Sequence, residues 1–501
     1  MNDSSMRNFR TTRNALGDPT SVLPKGILLL GALSAATGVA QAQSAGAPPA
    51  TYAGAAPPAL SSSGTAADQS LTWHGITLYG IVDVGIQYQT HGAPISDFYP
   101  AGSADIVQKN SNHSVTGVTP SNLGQSRVGL QGKEPIYGDW SGVFRLETWF
   151  NPQSGEISDG LKSLVQNNGR SPASGTQNSN LDSSVAGQAF QQAFAGFSSK
   201  TYGTITFGRQ NTTLTDGIAK YDPNYAAQAF SLIGLSGTTA GGGDTEDRRL
   251  DDSLKYAATF GGLIHVGALY KFNQSTGAGG SAGEAGSAFQ VSLGAEYAGL
   301  SIDAYYSKIR DALAASTLSS AQVAELPGLG YSPSNTLAAT VSDNTAWAIM
   351  GSYDMGVLKF FASFEHIQYA NPETPLTAGI NFASYTFGFV SNTAFPTDKE
   401  MEVIWGGIRY TVIPDLDLVA AGYGYHQNSY GTGADAGCNS AIAGTCSGTT
   451  EAYSLLADYR LSQRFDVYAG SMFTEVLNGQ ANGYAFQRTD IATTTGVRFK
   501  F

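Results

Sequence analysis

From Ile76 onward, apolar and polar positions alternate with a period of two, interrupted at intervals by Gly, Asn, Asp and Ser. In the first such segment Ile76, Leu78, Val82, Val84, Ile86 and Tyr88 fall on one face, and Thr77, Tyr79, Asp83 and Gln87 on the other. That pattern describes a strand with one apolar and one wet side. The last fourteen residues repeat it, setting Ile491, Thr493, Thr495, Val497, Phe499 and Phe501 against Asp490, Thr494, Arg498 and Lys500. Sixteen strands are expected, near residues 76–89, 125–136, 141–151, 189–201, 204–211, 252–260, 263–273, 288–298, 300–310, 344–354, 357–369, 401–412, 416–428, 450–461, 464–475 and 489–501. The 428 residues from His74 to Phe501 allow about 27 per strand, enough for about 10 in the strand and the rest in connections.

The connections alternate in length. Tight ones contain Gly138-Asp139, Tyr202-Gly203, Gly261-Gly262, Ala298-Gly299, Met355-Gly356, Pro414-Asp415 and Ser462-Gln463, all rich in turn formers. Those between them are long and dominated by Gly, Ser, Asn and Thr. The fold class expected is all-β: a transmembrane antiparallel 16-stranded β-barrel with short turns on one rim and long loops on the other.

The front of the chain reads differently. Arg7, Arg10, Arg13 and Lys25 precede an apolar and small-residue run from Gly26 to Val39, followed by Ala40-Gln41-Ala42, the layout of a signal peptide cleaved after Ala42. The run is shorter than the roughly 20 apolar residues that a membrane-spanning helix needs. Met1 and Met6 are both compatible starts. Residues 43–73 are Ala-, Pro- and Ser-rich, with too few large apolar side chains to offset their ordering entropy. They are expected to form a flexible periplasmic tail, leaving 74–501 as the barrel.

Composition sharpens the class. Charged residues are 13% of the chain and aromatics 11%, whereas soluble domains average about 25% charged. Mean hydropathy is only −0.12, as expected where half of each strand faces water. Loss of residues 1–42 removes four basic and two acidic residues, leaving 23 against 37 and a formal charge of −14. Such an acidic chain lacks the clustered Lys and Arg that nucleic-acid binding requires. Cys438 and Cys446 have no neighbouring Cys or His to complete a metal-ligand set and are expected to close a small disulfide loop.

Several strings, taken in order, resemble those of the trimeric Gram-negative porins of the Neisseria and Burkholderia type. Leu78-Tyr79-Gly80-Ile81-Val82-Asp83 is similar to their first strand, Gln125-Ser126-Arg127-Val128-Gly129-Leu130 to the second and Gln192-Ala193-Phe194-Ala195-Gly196-Phe197 to the fourth. Gly203-Thr204-Ile205-Thr206-Phe207-Gly208-Arg209 is similar to the fifth, Arg249-Leu250-Asp251-Asp252-Ser253 to the sixth and Thr495-Gly496-Val497-Arg498-Phe499-Lys500-Phe501 to the last. The resemblance implies a homotrimer in outer-membrane lipid and lipopolysaccharide, with terminal Phe501 read by the barrel assembly machinery. It also implies an inward-folded third loop, here Asn211 to Asp251, carrying Asp216, Lys220, Asp222, Asp244, Glu246, Asp247 and Arg248. Facing it, strand parity offers Arg127, Arg145, Arg209 and Lys255 on the wall, with Arg249 where the loop returns. Opposed charge rows of this kind set ion preference in a narrow passage. The simpler reading of each arginine is an interior charge that pairs with Asp83, Glu134 or Glu147. Three departures from the family pattern stand out: Gln191 where many relatives carry Arg, Phe499 where His is frequent, and the longer tail.

The expected function is passive diffusion of small polar solutes and ions, with no cofactor and, lacking a phosphate-binding loop, no energy input. A substrate-selective pore is a second reading, with Tyr79, Tyr221, Tyr225 and Phe230 as an aromatic strip. A barrel enzyme or an adhesin belongs to other classes. The six histidines, His74, His91, His113, His265, His366 and His426, are scattered and match no catalytic motif.

Overall fold

The computed structural model describes residues 71–91, 114–170, 189–236, 248–272, 286–382, 384–433, 436–439, 443–481 and 488–501. The signal peptide, nearly all of the expected tail, and the acidic residues Asp244, Glu246 and Asp247 lie outside them. Thr72 and Trp73, placed in the tail by sequence, pair with Thr77 and Ile76.

Sixteen strands form a closed antiparallel barrel. They are β1 (Ile76–Gln89), β2 (Arg127–Tyr137), β3 (Trp140–Trp149), β4 (Gln192–Ser199), β5 (Gly203–Asn211), β6 (Arg249–Phe260), β7 (Ile264–Lys271) and β8 (Ala288–Tyr297). The second half comprises β9 (Leu300–Ser316), β10 (Thr336–Asp354), β11 (Leu358–Ala370), β12 (Lys399–Ile413), β13 (Leu416–Gln427), β14 (Gly448–Arg460), β15 (Phe465–Asn478) and β16 (Thr489–Lys500). Each strand pairs with the next, and β16 returns to β1 in the register Val84↔Val497, so no edge is left open. Phe501 extends the seam through reciprocal backbone hydrogen bonds with Gly80, at 2.9 and 3.0 Å.

Period-two alternation accounts for the two faces. Leu130, Leu146, Phe207, Leu293, Ile349 and Leu455 are exposed on the outside, whereas neighbours such as Gln131, Glu147 and Thr206 are buried inside. Near the short-turn rim Tyr137, Tyr202, Phe260, Tyr297, Tyr353 and Tyr459 are exposed, forming an interfacial aromatic girdle. The β6–β7 turn shows why its residues are glycines: Gly261 and Gly262 have φ of +60° and +66° with open space around them. Backbone conformation rather than crowding excludes other residues there.

Several features depart from the expected strands, among them the extensions of β9 to Ser316 and of β10 from Thr336. Val115–Pro120 is an additional strand that pairs with the upper half of β1, while β2 pairs only with its lower half. The break between them, through Ser121 at φ +61°, is held by Asp83. Its carboxylate accepts hydrogen bonds from the backbone N–H groups of Leu123 (2.8 Å) and Gly124 (2.9 Å) and from the Tyr468 hydroxyl (2.6 Å). Another departure is that β6 begins at Arg249 rather than near residue 252, so the connection from β5 covers 212–248.

Candidate functional site

Three arginines converge on one stretch of inner wall. Arg145, Glu147 and Trp149 occupy successive inward positions of β3, and cross-strand pairing sets Arg127 opposite Trp149 and Gln131 opposite Arg145. Arg249 begins β6 with its guanidinium 3.9 Å from the Trp149 ring centroid, and that of Arg145 lies 5.5 Å from the Tyr79 ring. Both are cation–π arrangements.

Glu147 is the acid at the centre of this cluster and is only 2% exposed. Neutral groups occupy it first: Tyr79 donates to Oε2 at 2.9 Å, and Trp149 Nε1 and Gln192 Nε2 donate to Oε1 at 2.7 and 3.2 Å. Arg127 Nε approaches only to 3.6 Å. Arg145 donates to the Gln131 amide oxygen at 3.0 Å rather than to an acid. Arg249 is 7% exposed, its Nε has no hydrogen-bond partner, and no carboxylate lies within ion-pair distance among the described residues. Among the described residues Glu147 is the one carboxylate beside these guanidiniums, so there the cations outnumber the acid three to one. Burial makes that surplus costly unless mobile anions or water compensate it.

Arg209 and Lys255 are different. Gly208, at φ +124°, forms a bulge in β5 where a Cβ would come 2.3 Å from the Ala193 carbonyl oxygen. The bulge presents Arg209 to Asp251, with which it forms an ion pair. Lys255 pairs with Asp216 and donates to the Asn211 carbonyl at 2.8 Å. Both cations are spent locally.

The 212–248 connection carries α2 (Thr213–Tyr221) and α3 (Leu232–Ser236). Its polar contacts follow inward-facing residues around the wall. Thr213 donates to Gln290 of β8 at 2.8 Å, and Lys220 and Tyr221 donate to Asp303 of β9 at 3.1 and 2.7 Å. Trp405 of β12 donates to the Tyr221 carbonyl at 3.2 Å, and Asn224 donates to Tyr423 of β13 and Ser454 of β14, both at 3.0 Å. Leu214, Ile218, Phe230 and Ile233 are buried with Met350, Trp405, Val419 and Met472 in one apolar cluster.

Asp222 has a different place from the one expected. The sequence suggested a carboxylate opposing the arginines. Instead it is fully buried, accepting from the N–H groups of Asn224 (3.0 Å) and Ala226 (2.8 Å) and from Tyr423 (2.7 Å). It ties a turn in which Tyr225 and Ala226 have positive φ, and burial pushes its carboxyl above the ordinary value. Asp83 is likewise a backbone tie. With Asp216 paired to Lys255, neither Asp216 nor Asp222 forms an acidic row facing Arg127, Arg145 and Arg249.

The expected aromatic strip is not assembled. Tyr79 serves Glu147, Tyr221 reaches Asp303, Tyr225 lies 4.4 Å beneath Arg409, and Phe230 meets Tyr468 edge-on at 6.3 Å. Sequence reasoning passed over Trp149, although it shares parity with Arg145 and Glu147. Cys438 and Cys446 are joined in a disulfide within the β13–β14 connection.

A family model for Gram-negative porins matches residues 30–479. The chain belongs to the Gram-negative porin family. Its place is therefore the bacterial outer membrane. An outer membrane porin protein of Bordetella pertussis is 31% identical over 161 residues, a match spanning 32% of this chain and 34% of that relative. Among solved structures, the anion-selective porin from Comamonas acidovorans aligns with a TM-score of 0.54 at 17% identity, covering 85% of this chain and 99% of that one. The trimer form of in-vitro folded OmpT from Vibrio cholerae aligns at 0.51 and 13%, with the same coverage. These structural likenesses show the porin fold.

Proposed function

We propose that this porin is a passive diffusion channel for small hydrophilic solutes, that it works as a homotrimer, and that its inner wall favours anions. The observation carrying the anion preference is the cluster of Arg127, Arg145 and Arg249 around Glu147, an acid already occupied by Tyr79, Trp149 and Gln192. In a narrow passage an anion exchanges part of its hydration for these guanidiniums, whereas a cation meets uncompensated like charge. The 212–248 connection lies within the barrel in this reading and narrows it, because its partners are inward-facing side chains of β8, β9, β12, β13 and β14. Family membership supports the channel over an enzyme, and the trimeric form of the Vibrio cholerae OmpT supports the homotrimer.

The test is detergent extraction followed by insertion into a planar bilayer across a salt gradient. Conductance rising in threefold steps, with a zero-current potential of anion-selective sign, is the expected result. Inserted protein that carries no current would sink the channel, and a cation-selective potential would sink the anion preference.

A further inference from the structure

Two neighbouring connections on the loop rim and a third rooted six strands away share one apolar core. The β3–β4 connection contributes α1 (Gly160–Gln166). β9 and β10 continue beyond a bulge between Ile309 and Ala312, and their hairpin carries α4 (Ser320–Leu329). The β11–β12 connection adds the strand Tyr385–Ser391, which runs parallel to the start of β10. Leu161 and Leu164 of α1 are buried with Leu313, Leu337, Val341 and Phe387.

Hydrogen bonds fasten the same junction. Tyr385 donates to Asp159 at 2.7 Å, Asn168 donates to the Thr336 carbonyl at 2.7 Å and accepts from Leu318 N–H at 2.7 Å, and Gly169 N–H donates to the Leu318 carbonyl at 2.8 Å. Asp159 follows directly on Ser158, whose N–H is bonded to the Trp149 carbonyl of β3 at 3.0 Å. The β9–β10 hairpin therefore reaches α1 close to the top of β3. Along the wall β3 and β9 are six strands apart, or about 29 Å at about 4.8 Å per strand. Side chains on the wall do not reach that far, so the chain itself must cross.

We propose that α1, the β9–β10 hairpin and the 385–391 strand form a roof over the outer opening, and that this roof is a size sieve in series with the arginine wall. It is held by an apolar core, so it stands as a fixed obstruction rather than a set of independent loops. Solutes then enter around its edges, and the largest admissible solute is set at the roof. The inference rests on the diffusion-channel reading.

Liposome swelling with a pentose and with a tetrasaccharide tests it, using wild type, Leu161→Asp with Leu164→Asp, and a deletion of residues 317–335 closed by a short Gly-Ser linker. A heat-modifiable band verifies that each barrel is folded. Wild-type vesicles should pass the pentose and exclude the tetrasaccharide. Both variants should raise tetrasaccharide entry at least fivefold with little change for the pentose. Unchanged tetrasaccharide entry in the folded deletion variant would overturn the roof. Failure of the wild type to pass even the pentose would instead remove the channel reading beneath it.

Discussion

Two clusters of charge sit inside this barrel, and they are put together differently. Toward the short-turn rim, Arg409 and Arg460 both reach Asp417, at 3.1 and 2.7 Å. Beside them Arg498 reaches Asp458 and Asp466, at 3.3 and 2.6 Å, and Lys500 reaches Asp466 at 2.9 Å. Each of these four cations has a carboxylate partner one or two strands away. In the Arg127–Arg145–Arg249 cluster only Arg127 comes within ion-pair distance of a carboxylate among the described residues, and that acid, Glu147, has neutral groups as its nearest contacts. The first arrangement stitches β12 to β16 together; in the second the cations outnumber the acid among the described residues. Burial and charge type are similar in the two places, so pairing is what distinguishes them.

Removing an acid from the paired cluster should damage the fold. Asp466 is fully buried, and Asp466→Asn removes the carboxylate that pairs with Lys500 and leaves Arg498 only Asp458; the expected cost is about 3 kcal/mol, read as a lower urea midpoint in vesicles with selectivity unchanged. Removing cations from the unpaired cluster should do the reverse. Arg127→Gln with Arg145→Gln and Arg249→Gln should lower the anion-to-cation permeability ratio about tenfold, equivalent to about 1.4 kcal/mol, while the heat-modifiable band persists. A smaller effect separates Asp83 from both clusters. Tyr468→Phe withdraws the hydroxyl donor from Asp83 and the acceptor from Asn122, so a loss of about 1 kcal/mol in unfolding and no change in ion preference are expected.

The smallest effect concerns Asp222. Its raised carboxyl binds a proton more tightly folded than unfolded, so its contribution to stability is greatest at low pH and falls as pH rises from the ordinary carboxylate value through the raised one. Asp222→Asn should flatten that slope in urea midpoints taken between about pH 4 and about pH 7. An unchanged slope would mean the carboxyl does not titrate there.

The barrel was legible because alternation and short turns are local signals: each of the sixteen expected segments overlaps a strand, and Gly261-Gly262 marks its turn. The strand Val115–Pro120 was not, because it ends in Pro120 and its pairing depends on Asp83, a residue about forty positions away that bonds the break after it. The arginine wall was legible by parity, but which arginines stay unpaired was not. Asp216, Asp222 and Asp251 look alike along the chain, and only the fold decides that the first neutralises Lys255, the second ties a turn and the third neutralises Arg209. The roof was missed for a related reason. Leu161, Leu337 and Phe387 belong to three separate connections, and nothing local tells that they share a core.

If charge without a carboxylate partner sets ion preference, Arg249 should govern it and the Asp466 cluster should not. Zero-current potentials in one salt gradient, for wild type, Arg249→Gln and Asp466→Asn, test it most directly. A shift toward cations is expected for Arg249→Gln and a wild-type potential for Asp466→Asn. Equal potentials in all three, or a shift confined to Asp466→Asn, would contradict it.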